Sequence, residues 1–122
     1  MQPLKSVSIL GTKYTISKKK YSEEPSFARD GSNGYCQHST RCIVICDMTT
    51  YPGWDDVSSE AIETEEKQTL RHEIVHAFFN ESGLRYNANT VSGSWAVNEE
   101  MVDWIALQGA KIYAAWQAAG VV

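Results

Sequence analysis

Two histidines four residues apart, the first followed directly by a glutamate, are the residues of this chain best suited to chemistry: His72-Glu73-Ile74-Val75-His76. The stretch around them, Thr69 to Asn80, holds no proline or glycine and is built of good helix formers. On a helix, side chains at i and i+4 stand one above the other, so both imidazoles can converge on one cation. Glu73 is turned to the side, where it can reach a water on that cation without binding it. This is the H-E-x-x-H spacing, in which two histidines hold zinc and the glutamate acts as general base. Leu70, Ile74, Ala77 and Phe78 recur at helical spacing and predict the buried stripe of that helix, with Val75 and Phe79 flanking the histidines.

A hydrolytic zinc takes three protein ligands and leaves a fourth position for water. The third should come from another element that points back at the first two. The best candidate opens the last helical stretch, Asn98-Glu99-Glu100-Met101-Val102-Asp103. Glu99 is preferred over its neighbour Glu100, because only Glu99 has an aspartate four residues on, on the same helix face. Asp103 is then placed to accept the free ring N–H of a ligating histidine and fix its tautomer. The plain alternative for both glutamates is a pair of acids stabilised by the dipole of a helix first turn. The donor for a developing oxyanion is left open among Arg71, Arg85, Tyr86, Tyr35, Tyr51 and His38.

These residues need elements to carry them. With 122 residues, the chain is expected to be one domain, residues 1–122, with a single modest core. Val7 to Leu10 and Tyr14 to Ile16 read as a strand or short hairpin, and Arg41 to Asp47 as the strongest strand. Ser22 to Gly34 reads as loop with one helical turn near Ser26 to Arg29. A long helix is predicted from Ser58 or Ser59 through the histidines to a stop at Gly83, and a second from about Ser94–Asn98 to Ala119, ended by Gly120. Strands first and two long helices after them predict an α+β fold with a small antiparallel or mixed sheet. Ile43-Val44-Ile45 is expected to be the sheet edge that aligns an extended peptide. Trp95, Trp104 and Trp116 are expected to pack against the motif helix, and Trp54 to anchor its loop.

Composition narrows the classes. Eleven Lys and Arg against fifteen Asp and Glu give a net charge of −4, which argues against a general nucleic-acid binder. The cluster Lys18-Lys19-Lys20 reads as a solvated loop or strand end. No apolar run is long enough for a membrane span, and the first ten residues hold no export-type apolar core. Three cysteines, Cys36, Cys42 and Cys46, are an odd number and fit reduced thiols, so a cytoplasmic location is expected. Their spacings match no common zinc knuckle, and they are expected to pack as small hydrophobes.

His72-Glu73-x-x-His76 followed by Asn98-Glu99-x-x-x-Asp103 resembles the gluzincin pattern, H-E-x-x-H then N-E-x-x-x-D. With strands ahead of the motif, the chain most resembles the small ImmA/IrrE-type metallopeptidases of phages and mobile elements, or the minigluzincins. The resemblance is specific over residues 69 to 106. It implies a zinc peptidase core: a small sheet, an active-site helix and a ligand helix, with a protein or peptide as substrate. In the ImmA/IrrE family that substrate is a repressor-like regulator of the same element. Two other classes stay open at this point: a zinc-binding regulatory protein with little hydrolytic activity, and a structural protein with no metal.

Overall fold

The computed structural model describes residues 5–84 and 97–122. Four strands form one sheet: β1 (Lys5–Ile9), β2 (Thr12–Lys19), β3 (Gly34–Gln37) and β4 (Cys42–Cys46). A short helix α1 (Pro25–Asp30) precedes β3, and two long helices, α2 (Ser59–Glu81) and α3 (Glu99–Ala118), follow the sheet. The class is therefore α+β, and the sheet is mixed. Its spatial order is β1-β2-β4-β3, with β4 parallel to β2 and antiparallel to β3.

The β1–β2 hairpin closes on Leu10-Gly11, both with positive φ (49° and 88°). Two such residues give a primed turn whose twist matches the strands it joins. The central position of β4 explains its composition. Ile43 and Ile45 pack with Ile9, Tyr14, Ile16 and Ala77, while Val44 and Cys46 pack with Phe27 and Met48. A strand covered on both faces reads as an unbroken apolar run rather than an alternating one. This corrects one expectation: Ile43-Val44-Ile45 is an interior strand, hydrogen-bonded on both sides, and the edge beside α2 is β3. The predicted loop ended at Gly34. The strand that begins there escaped notice because Gly-Tyr-Cys-Gln is short and has no β-branched residue.

Helix α2 starts as expected, with the Ser58 side chain accepting from the Ala61 N–H, and is followed by Gly83 at φ +84°. Its most buried line is Thr69, Glu73, Ala77 and Asn80. The predicted stripe is thus rotated: Leu70 and Ile74 flank the core and Phe78 is exposed. The Tyr14 hydroxyl donates to Glu81 Oε2 at 2.7 Å, tying the end of α2 to the sheet. At the other end, Lys18 pairs with Glu66 at 2.9 Å, so the lysine cluster is a strand end as expected.

Helix α3 is capped by Asn98, whose side chain accepts from the Met101 N–H, and buries only Val102 and Ala106. Contacts of Glu99 with His76, Asp103 with His72 and Ala106 with Arg71 run in opposite directions along the two helices, so α2 and α3 are antiparallel. Trp104 and Trp116 do not pack on α2; they are 57% and 50% exposed. Trp95 lies outside the described residues. Trp54 packs against the Phe27 cluster, as expected of a loop anchor. Among the described residues no helix is long and apolar enough to cross a membrane.

Candidate metal centre

The i, i+4 spacing on α2 brings the two imidazoles together, with His72 Nε2 and His76 Nε2 3.2 Å apart. Neither ring is deeply buried; their side chains are 14% and 18% exposed. The first turn of α3 then lays Glu99 across both: Oε2 is 3.1 Å from His72 Nε2, and Oε1 is 2.8 Å from His76 Nε2. Behind His72, Nδ1 lies 2.6 Å from Asp103 Oδ1. A carboxylate can only accept there, so Nδ1 carries the proton and Nε2 presents its lone pair toward His76 and Glu99.

Two carboxylates compete for the place of third ligand. Glu73 belongs to a group with His72 and His76 whose ligand atoms all lie within 4.8 Å of one another, a group able to hold a metal ion. Glu99 is closer still to both imidazoles. Glu73 is 7% exposed, and no described residue donates a hydrogen bond to it. Glu99 thus lies against both imidazoles, and Glu73 stands beside them with its carboxylate at the cleft. Glu100 does not compete. It lines a different hollow, with Met101, Trp104 and Leu107.

The donor set fits a cation. Three lone-pair centres face one another at 2.8–3.2 Å. Ligand atoms on a tetrahedral zinc with bonds of about 2.0–2.1 Å stand roughly 3.3 Å apart. Without a cation, at least one proton must be squeezed between them. Two imidazole nitrogens and a carboxylate suit zinc or a similar borderline ion better than a hard cation such as calcium or magnesium.

Electrostatics follow from this crowding. Burial pushes Glu73 up to about 7, with His72 opposing and the Glu99 and Asp103 charges adding to the rise. Burial lowers His72, but the Asp103 hydrogen bond and the carboxylates of Glu73, Asp103 and Glu99 outweigh it, and the net direction is up. A cleft of about 280 Å³ runs from His72 and Glu73 along the first half of α2, with Ser32, Asn33 and Gly34 as its opposite wall.

That wall approaches closely because residue 34 is glycine. A Cβ there would stand 2.6 Å from Thr69 Cγ2 and 3.5 Å from Glu73 Oε2. Sequence reading missed Gly34; the signal was a glycine at the head of a short strand, the usual mark of close backbone approach.

Of the suggested oxyanion donors, Arg71 is held by the Ala106 carbonyl and Gln68, and Tyr35 donates to Glu24. None of Arg71, Tyr35, Tyr51 or His38 lines the cleft, and Arg85 and Tyr86 lie outside the described residues. The cysteines are split between the two faces of the sheet: Cys36 accepts from Asn80 on the α2 side, whereas Cys46 is buried in the Phe27 cluster on the other. No protein-family model, curated protein or solved structure matches the chain.

Proposed function

We propose that the chain is a zinc-dependent peptidase, similar in its site to the gluzincins and to the small ImmA/IrrE-type enzymes. The observation that carries this reading is the convergence of His72 Nε2, His76 Nε2 and both Glu99 oxygens within 2.8–3.2 Å, beside a buried Glu73 to which no described residue donates a hydrogen bond. A purely structural cluster does not require that second carboxylate, whose burial is costly.

His72, His76 and Glu99 would hold the metal, and Asp103 would fix the His72 ring through its Nδ1–H. When bound, zinc supplies a Lewis acid for the scissile carbonyl and lowers the pKa of its water to about 7. Glu73 removes the proton of the attacking water and delivers it to the departing amine nitrogen. Its buried position beside both imidazoles places it within reach of a water held between them. The edge strand β3, not β4, is the backbone available to align an extended peptide beside Glu73. The substrate is a protein or peptide, and a repressor-like regulator is the form that the resemblance suggests.

The test is hydrolysis of a peptide library by the zinc-loaded chain with Glu73→Gln as control. The variant is expected to keep its zinc and to lose about 10²–10⁴-fold in rate. Equal activity in both, or none in either, argues for a metal-holding protein that is not a peptidase.

A further inference from the structure

The cleft beside the metal centre has a charge pattern that the hydrolytic chemistry does not require. Its lining includes Glu65, Glu73, Glu99 and Asp103 and, among the described residues, no lysine or arginine. Glu73, Glu99 and Asp103 have been given work at the metal. Glu65 has none. It lies on α2 seven residues before His72, about 10 Å along the helix. Its neighbours on the helix are neutralised, Glu63 by Lys67 and Glu66 by Lys18. Glu65 joins no ion pair among the described residues, and its Oε1 is held by Asn33 Nδ2 at 3.1 Å from the opposite wall. An oriented, partly buried carboxylate with no cationic partner among the described residues thus stands at the far end of a cleft whose near end holds the buried Glu73.

Resting on the peptidase reading, we infer that Glu65 is the specificity-determining residue of this cleft and that the substrate carries a lysine or arginine one or two residues from the scissile bond. The dimensions agree. An extended chain advances about 3.3 Å per residue, and a basic side chain reaches roughly a further 6 Å. Together they span the distance from the metal ligands to Glu65. The remaining cleft walls, Ser32, Asn33, Gln68 and Thr69, are neutral and polar. They suit the end of a long basic side chain better than an apolar one, and the negative centre repels acidic residues.

The experiment uses short capped peptides bearing a hydroxamate, a metal-binding group, at one end or the other. Each is made as a pair with arginine or its neutral isostere citrulline one or two residues from the hydroxamate. Binding to the zinc-loaded full chain is measured by calorimetry. In at least one pair, the arginine member is expected to bind about tenfold tighter than its twin. That difference should vanish in Glu65→Gln, where Asn33 can still donate to the amide oxygen and the fold is kept. Twins that bind equally to the wild type, or a preference that survives Glu65→Gln, overturn the inference and leave the metal centre standing. Failure of every hydroxamate to bind a zinc-loaded chain removes the metal-centred peptidase reading, and the inference with it.

Discussion

Asp103 Oδ1 and His72 Nδ1 meet at 2.6 Å across the two long helices. This contact fixes which nitrogen of His72 faces the other ligands, and it links α3 to α2 through a charge rather than through apolar packing. Asp103→Asn keeps the size but allows the amide to present a donor, so the favoured tautomer is no longer enforced. Zinc affinity, measured by competition with a chromogenic chelator, is expected to fall about 10–100-fold. An unchanged affinity would mean that Asp103 merely decorates the helix surface.

The metal-free chain should lose stability as pH rises. Burial holds Glu73 at about 7 against an ordinary 4.5. The folded state therefore holds this proton more tightly, and its stabilising contribution is complete below about 4.5 and lost as pH rises through 7. His72, also raised, acts in the same sense: its contribution is present below the ordinary imidazole value and lost as pH rises through the raised one. Denaturant melts of the metal-free protein should show a decrease of the order of 3 kcal/mol over this window from Glu73. Glu73→Gln should remove that part of the slope. If wild type and variant have the same pH profile, Glu73 is not held in a desolvated site. Zinc reverses the trend, because its ligands must shed protons to bind.

Gly34 is a point of close approach between the edge strand and the motif helix. A methyl group there meets Thr69 Cγ2 at 2.6 Å and the Val44 carbonyl oxygen at 3.2 Å. The β-branched threonine has little rotamer freedom with which to yield. Gly34→Ala is expected to cost about 1–3 kcal/mol in denaturant melts. Thr69→Ser, which deletes the clashing methyl, should recover a large part of that cost in the double variant. Additive losses would show that the strand moves instead of the threonine.

The side-chain geometry of the site was more legible in the sequence than the architecture around it. His72 and His76 could be read because helix geometry alone decides where i and i+4 side chains point. The placement of Glu99 rather than Glu100 beside the histidines could be read from its aspartate partner, and the start of α2 from the serine pair Ser58-Ser59. What escaped depended on non-local pairing. The run Cys42 to Cys46 fits an edge or a centre equally well until its neighbours are known, and its place between β2 and β3 is a property of the whole sheet. Gly34 to Gln37 is a strand because β4 offers it a partner, not because of its own residues. The tryptophans misled for a related reason: an aromatic on a helix predicts burial only if another element reaches it, and α3 buries only Val102 and Ala106.

One zinc titration of the purified, metal-stripped chain weighs the central geometry most directly, run on wild type, Glu99→Ala and Glu100→Ala. The wild type and Glu100→Ala are expected to take up about one equivalent with matching affinity, while Glu99→Ala, left with two imidazoles, binds at least about 100-fold more weakly. Uptake by Glu99→Ala equal to that of the wild type, or no stoichiometric uptake by the wild type at all, would contradict a centre built from His72, His76 and Glu99.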